Sequence, residues 1–286
     1  MSNFVISDRF YFSSETLSLI NKYFGSTFVI KYGGSAMQNP NLQSQVIEDL
    51  SLLHFLGINI VLVHGGGIFI NNWLNRLNIE PKFENGVRIT DPEAMEIVEM
   101  VLVGKINKEL VSLFNQNNIC SIGLSGKDAN LIHASAMFKS TSNLTGKVKS
   151  INSKVLHLLF SNRFIPVIAS IASDLKGKTY NINADTVASS IASELKADKL
   201  ILLTDMPGIL RDVHDSSTLI KDISLDSLTN LLAEDVISGG MIPKIQSCID
   251  ALRSNVKSVH IIDGRLEHSI LHELLTYNRV GSMIVS

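Results

Sequence analysis

In the stretch FVIKYGGSAM (28–37) a short apolar run ends at Lys31 and is followed at once by Gly33 and Gly34. Glycines at a strand exit let backbone N–H groups approach an anion closely, and a lysine beside them adds a fixed positive charge. A GxxxxGK[ST] phosphate loop would place its lysine after the glycines, and the chain has no such match. Lys31 is therefore either an ordinary strand-end charge or part of a different phosphate-handling arrangement. A second cluster, His64-Gly65-Gly66-Gly67, follows another apolar run and opens a helical pattern. Either cluster alone reads equally well as a tight turn needing positive φ. Two at successive strand exits, one preceded by a lysine, favour an anion site. His64 itself reads as a strand-end hydrogen bonder rather than a catalyst.

Three further stretches carry candidate chemistry. In GGMIPKIQSCIDAL (239–252) Pro243 suits the first turn of a helix, which puts Lys244 in that turn. A cation there faces the positive end of the helix dipole, so it makes sense only with an anion beside it or as a solvated surface lysine. Cys248 falls on the apolar stripe of that helix and reads as core. NINADTVASSIASEL (181–195) brings Asn181, Asn183 and Asp185 to a loop-to-helix junction. Asp185 is there either as an N-cap or as a carboxylate holding two ammonium groups in position. Arg88, in NGVRITD (85–91), is a candidate fork for a substrate carboxylate or a solvated loop charge. LLTDMPGIL (202–210) gives a strand, Asp205 and a Pro-Gly turn, which frame one side of a nucleotide pocket or form only a turn. The sequence has no Ser-His-Asp pattern, His-rich cluster or full GxGxxG, which makes hydride transfer a weak rival.

The elements that must position these residues are legible as short apolar runs alternating with helical patterns. Runs at 27–32, 58–64, 119–124, 164–170, 199–205, 258–264 and the C-terminal MIVS are rich in Val, Ile and Leu with little polar alternation. Strands buried on both faces of a parallel sheet read this way. Between them, Ile70, Trp73, Leu74 and Leu77, and again Ile245, Cys248, Ile249 and Leu252, follow helical spacing. Thr90-Asp-Pro-Glu93 resembles a capping box. The alternation predicts an α/β fold, a three-layer αβα sandwich around an open, mostly parallel central sheet. Residues 131–150, rich in Ser, Thr and Lys, read as hairpins and loops. The expected organisation is an N-terminal helical extension (1–26), an N-terminal lobe (27–175) and a C-terminal lobe (176–286).

With 286 residues, 45% hydrophobic and 18% charged, the chain is long enough for a large core and reads as an ordinary soluble globular protein. A net charge of −2 leaves no basic excess for nucleic acid or an anionic membrane. Cys120 and Cys248 stand alone, without zinc-type spacing, which suits a reducing compartment. No apolar run is long enough for a membrane span, and the start lacks the features of a secretory signal.

Taken together, KYGG (31–34), HGGG (64–67), NGVRITD, NINAD (181–185), LLTDMPGIL and GGMIPK (239–244) resemble the amino acid kinase family, in order from about residue 27 to the C-terminus. The motifs, with MEIVEMVLVGKINKELV (95–111), are most similar to the branch that phosphorylates N-acetyl-L-glutamate with ATP in arginine biosynthesis. The resemblance implies that Lys31 and Lys244 neutralise the transferring phosphoryl group and that Asp185 orients them. It gives Gly33, Gly34 and Gly67 as N–H donors to phosphate, and Gly66, Gly67, Arg88 and Asn181 as the N-acetylglutamate site. The nucleotide is expected against residues 205–210 and 236–241, including Asp205, Gly208, Leu210, Gly239, Gly240 and Met241, with Mg²⁺ held by phosphates and water. It also implies regulation. Residues 14–24 look like a helix that interlaces dimers into a hexameric ring, a trimer of dimers. Lys199, His268, Glu273 and Gly281 match an arginine site for feedback inhibition, although Leu19 and YNRVG (277–281) depart from the usual pattern. Cyanobacterial and plastid relatives also bind the PII signalling protein, and location follows as cytoplasm or plastid stroma. A change of acceptor to carbamate, glutamate or UMP, and a silent amino-acid sensor, are the competing readings. NGVRITD and NINAD speak against the first. The intact pair of lysines around Asp185 speaks against the second.

Overall fold

The computed structural model describes residues 14–84, 87–140, 142–234, 237 and 240–286. In chain order the strands are β1 (Thr27–Tyr32), β2 (Asn59–His64), β3 (Lys82–Glu84), β4 (Val87–Ile89), β5 (Ser121–Ser125), β6 (Ile132–Ala136) and β7 (Thr145–Ile151), then β8 (Ile165–Ala169), β9 (Ile171–Ser173), β10 (Thr179–Ile182), β11 (Lys199–Thr204), β12 (Asp222–Ser224), β13 (Ser258–Asp263) and β14 (Ser282–Val285). The α-helices are α1 (Ser14–Tyr23), α2 (Pro40–Phe55), α3 (Gly67–Arg76), α4 (Pro92–Glu99), α5 (Asn107–Gln116), α6 (Lys154–Ser161), α7 (Ala184–Glu194), α8 (Leu225–Ala233), α9 (Met241–Arg253) and α10 (Ser269–Leu275).

The apolar runs form one eight-stranded sheet in the order β12-β14-β13-β11-β1-β2-β8-β5. Its neighbours pair parallel except β13 with β14. Both faces are covered, as such apolar strands require. Phe28, Ile30 and Tyr32 of β1 enter the core made with α2, α3, α4, α5 and α10. Val29 enters the opposite core, built with α7 and α9. Side chains alternate along a strand, so Lys31 shares the parity of Val29 and leaves the strand on the side of α7 and α9. β11 of the expected C-terminal lobe pairs with β1 of the N-terminal lobe, and β13 pairs with β11, so the two lobes share one sheet. Among the described residues no helix is long and apolar enough to cross a membrane.

Several local features differ from the sequence pattern. The hairpin expected within residues 131–150 is β6–β7, and what the sequence pattern did not give is its closure with β9 and β10 into a small four-stranded sheet. The cap of α4 is Asp91, not Thr90: the Asp91 carboxylate accepts from Ala94 N at 2.9 Å, and Pro92 follows at the first helical position. Helix α4 then passes through a π-helical stretch, Met100–Ile106, into α5. Ile70 and Leu74 are buried as expected of α3, whereas Trp73 and Leu77 are partly exposed. Helix α1 packs Tyr23 edge-on against Phe28, with 5.4 Å between ring centroids. The first thirteen residues of the expected extension lie outside the described residues.

Candidate active site

Lys31, at the exit of β1, reaches Asp185 in the first turn of α7, with Nζ 3.2 Å from Oδ1. Lys244, in the first turn of α9, donates to the other oxygen, Oδ2, at 2.7 Å. The Lys31 contact is ionic rather than an aligned hydrogen bond, since Oδ1 is buried without one. Asp185 is free for this because the cap of α7 is Asn183, which accepts from Asp185 N at 2.8 Å and Thr186 N at 3.3 Å. Burial opposes the Asp185 charge, yet the two ammonium groups overcome it and hold the carboxyl at about 2. Burial pushes Lys31 below the usual lysine range, and Lys244 adds to this while Asp185 resists it. By formal charge the row sums to +1 in a poorly solvated place, which suits the binding of an anion.

Gly33 and Gly34 sit directly beside it. A Cβ on Gly33 would lie 3.1 Å from Lys31 Nζ, so the backbone there lies against the ammonium group. Gly34 has φ +83, in the left-handed region, and a Cβ on it would lie 2.7 Å from Asp205 Oδ1. Asp205, at the exit of β11, accepts from Ser35 N at 2.9 Å and Ser35 Oγ at 2.8 Å.

Two cavities flank this row. The first, about 310 Å³, is lined by Thr204, Met206, Gly208, Ile209, Leu210, Val213, Ile237, Gly240, Met241 and Lys244. Its largely apolar wall suits a flat base, and Lys244 closes one end. Gly239 lies outside the described residues. The second, about 180 Å³, is lined by Gly65–Gly67, Arg88, Asn181 and Asn183 with Ile70, Val87, Leu102, Ile182 and Ala184, among others. Arg88 lies over the Phe83 ring at 4.8 Å and donates from Nη2 to Asn71 Oδ1 at 2.5 Å. Its Nη1 is buried with no hydrogen-bond partner among the described residues. A carboxylate is the partner such a nitrogen lacks. Asn181 Nδ2 donates to Thr90 Oγ1 at 3.1 Å. Gly66 sits close under the π-helical stretch: a Cβ there would meet the side-chain ends of Ile106, at 2.3 Å, and Leu102, at 2.7 Å. His64 is buried and neutral, its pKa lowered to about 4 mainly by burial. Its Nδ1–H donates to Gly65 O, and Asn107 Nδ2 donates to its Nε2. Burial pushes the Cys248 thiol well up, as suits a core side chain.

A separate cluster lies on the other face of the sheet, between α1, β11, β13 and α10, around a cavity of about 600 Å³. Lys199 Nζ lies 2.9 Å from His260 Nε2 and 5.1 Å from the centre of the Tyr23 ring. Burial, with Lys22 and Arg279 nearby, brings Lys199 down to about 8. Glu273 faces His260 Nδ1 at 2.7 Å and accepts from Val280 N and Gly281 N at 3.0 and 2.9 Å. Lys199, Glu273 and Gly281 are thus brought together, but His268 is not. Its Nδ1 sits 2.6 Å from Asp49 Oδ1 on α2, and it does not line the cavity. His260 occupies that place. The sequence reading passed over Ser35 and Asn71, whose roles depend on neighbours distant in the chain, and it placed Asn183 at the junction without giving it the cap, which lies two residues before Asp185.

Comparison with known proteins places the chain in a family. The amino acid kinase family model matches residues 26–263. Acetylglutamate kinase of Gracilaria tenuistipitata var. liui is 53% identical over 97% of this chain and 98% of its own length. That of Thermosynechococcus vestitus is 50% identical over 98% and 95%. Among solved structures, N-acetylglutamate synthase from Neisseria gonorrhoeae, complexed with coenzyme A and N-acetyl-glutamate, superimposes with a TM-score of 0.84 at 23% identity. The match covers 95% of this chain and 62% of that one. Carbamate kinase from Giardia lamblia bound to AMP-PNP gives a TM-score of 0.63 at 18% identity, covering 92% and 99%. These two likenesses speak to fold. The chain belongs to the amino acid kinase family, and its curated relatives at half identity are acetylglutamate kinases.

Proposed function

We propose that this chain transfers the γ-phosphoryl group of ATP to the γ-carboxylate of N-acetyl-L-glutamate, forming N-acetyl-L-glutamyl 5-phosphate in the second step of arginine biosynthesis. The observation that carries the reading is the buried Lys31–Asp185–Lys244 row between the two cavities. Lys244 borders the apolar one, and Asn183 and Ala184, next to Asp185, border the one with the unpartnered Arg88 nitrogen.

A carboxylate oxygen of the acceptor attacks Pγ, the bond from Pγ to the β,γ-bridging oxygen breaks, and ADP leaves with that electron pair. The acceptor is already ionised at neutral pH, so no general base is needed. The obstacle is the approach of two anions, and Lys31 and Lys244 offset it by fixed charge at the transferring group. Asp185 keeps both ammonium groups aimed, and its charge supports that of Lys31 against burial. Gly33, Gly34 and Gly67 supply N–H donors, and Gly66, Gly67, Asn181 and Arg88 hold the acceptor, with the guanidinium on its α-carboxylate. The base lies against residues 205–210 with Gly240 and Met241. Among the described residues no three His, Cys, Asp or Glu side chains converge as a metal cage. A Mg²⁺ ion would be carried on phosphate oxygens and water, where it would neutralise phosphate charge.

In this reading residues 27–175 form the acceptor lobe and 176–286 the nucleotide lobe. Arginine as feedback inhibitor is supported by the anionic Glu273 and the cavity beside α1. Assembly of dimers through α1 into a hexamer, and binding of a PII signalling protein, rest on likeness to cyanobacterial and algal relatives. Location in the cytoplasm, or in the stroma for a plastid-encoded chain, rests on the same sources.

The test is hydroxamate trapping of the acyl phosphate from ATP, Mg²⁺ and N-acetyl-L-glutamate, with glutamate as control and millimolar arginine added in a parallel series. Product that needs the N-acetyl group is the expected result, and Lys31→Ala or Lys244→Ala should lower kcat by about 10²-fold or more. No hydroxamate from a folded, ATP-binding protein overturns the acceptor assignment.

A further inference from the structure

We infer that Asp205 is a positioning residue for phosphoryl transfer, clamping Ser35 so that the Gly33–Gly34 backbone is held against Lys31; this rests on the phosphoryl-transfer reading above. The turn after β1 has no side-chain cap of its own: Gly34 stands at the N-cap of the short turn Ser35–Gln38 without a side chain to offer. The missing acceptor comes from 170 residues away. Asp205 Oδ1 takes both the Ser35 amide, at 2.9 Å, and the Ser35 hydroxyl, at 2.8 Å, while Oδ2 lies 3.2 Å from the same amide.

This grip constrains the glycine pair from the far side. Gly34 holds φ +83, and its Cα presses so close to the Asp205 carboxylate that a Cβ would be 2.7 Å from Oδ1. On the near side Gly33 lies against the Lys31 ammonium group. The glycine pair is thus held between a carboxylate and an ammonium group, and a donor N–H in it has little freedom to turn. Preorganised donors at developing charge need this kind of fixing. The sequence distance explains why the arrangement exists only in the folded sheet: β1 and β11 pair directly, with Lys31 opposite Leu202. Asp205 lies three residues beyond Leu202, at the strand exit that faces Gly34. Both of its oxygens already face Ser35, so its first task is within the protein and not on the nucleotide.

The test compares wild type, Asp205→Asn, Ser35→Ala and the double variant, with thermal unfolding to confirm that each is folded. Binding of ADP and of AMP-PNP is measured by calorimetry alongside kcat and KM for ATP. A clamp on the γ-phosphate donors should weaken AMP-PNP by about tenfold in Asp205→Asn while ADP changes by less than about twofold, the scale of one charge-assisted hydrogen bond. Ser35→Ala should shift AMP-PNP in the same direction by less. The double variant should be no worse than Asp205→Asn alone, because both changes open the same contact. Equal weakening of ADP and AMP-PNP, with Ser35→Ala silent, would make Asp205 a direct nucleotide ligand and overturn the inference. The nucleotide readouts need no acceptor. A wild type that discriminates AMP-PNP from ADP yet makes no acyl phosphate would sink the acceptor reading alone.

Discussion

Replacing Asp185 by Asn removes one charge from the row while keeping its shape. The folded carboxyl titrates at about 2, against an ordinary value of 3.8. At about 1.4 kcal/mol per unit, that gap gives about 2 kcal/mol of stability. The folded pKa is depressed, so this contribution is complete above the unfolded value and is lost only as pH falls through the folded one. At neutral pH the Asn variant lacks all of it. For a chain of this length the melting temperature should drop by roughly 4–8 °C. Lys31, already lowered by burial, loses the carboxylate that supports its charge. Its proton should then come off at lower pH, so the alkaline fall of kcat moves toward neutrality. Because positive charge remains around the phosphates, the loss should appear in kcat, by about 10²-fold, with KM for ATP little changed. Hydroxamate formation between pH 6 and 9 and a thermal scan read both effects. A variant that melts with wild type and keeps kcat within about threefold across that range would refute the reasoning.

Arg88→Lys keeps the charge but loses the fork and its unpartnered Nη1. KM for the acceptor should rise about 10- to 100-fold with KM for ATP unmoved, and an unchanged acceptor KM would remove Arg88 from that site. Gly66→Ala puts a methyl 2.3 Å from Ile106 Cδ1. The overpacking should cost about 1–3 kcal/mol in thermal or urea unfolding and weaken acceptor binding, since the buried Ile106 and Leu102 side chains must shift beside the substrate wall. The partly exposed His268 is raised above its ordinary pKa, chiefly by its hydrogen bond to Asp49. A raised folded pKa means stability that is present below pH about 6.5 and lost as pH rises through the folded value. His268→Gln should therefore destabilise more at pH 6 than at pH 8.5, and an equal effect at both would show that the ion pair contributes nothing.

The central strands were legible because β1, β2, β8, β11 and β13 are buried on both faces, and such burial leaves an unbroken apolar run. The β6–β7 hairpin was legible only as a region of hairpins and loops, because Lys147, Lys149 and Ser150 face solvent, and the three- and four-residue strands β9 and β10 are too short to leave a run of their own. Lys31 and Lys244 stand out in the sequence because each is a cation where local structure prefers something else, a buried strand end and a helix first turn. Asp185 could be confused with the cap because Asn183, two residues earlier, does that job equally well. Ser35 and Asn71 gave no signal, as each acts through a partner remote in the chain. His268 was named because it matches the family pattern and His260 was not named, yet strand parity sends His260 toward Lys199 while His268 sits on Asp49.

Lys31 owes its direction to its place in the alternation of β1. Gain or loss of one residue at the start of β1, slipping the whole strand by one, would send the ammonium group into the apolar layer under α2, and would turn Phe28, Ile30 and Tyr32 toward the helices that carry Asp185 and Lys244. The exposed loop at 211–217 stands under no such constraint, because nothing in the row depends on its length. Among chains built on this plan, insertions and deletions should collect in segments such as 211–217 and be missing from the five residues that lead to Lys31.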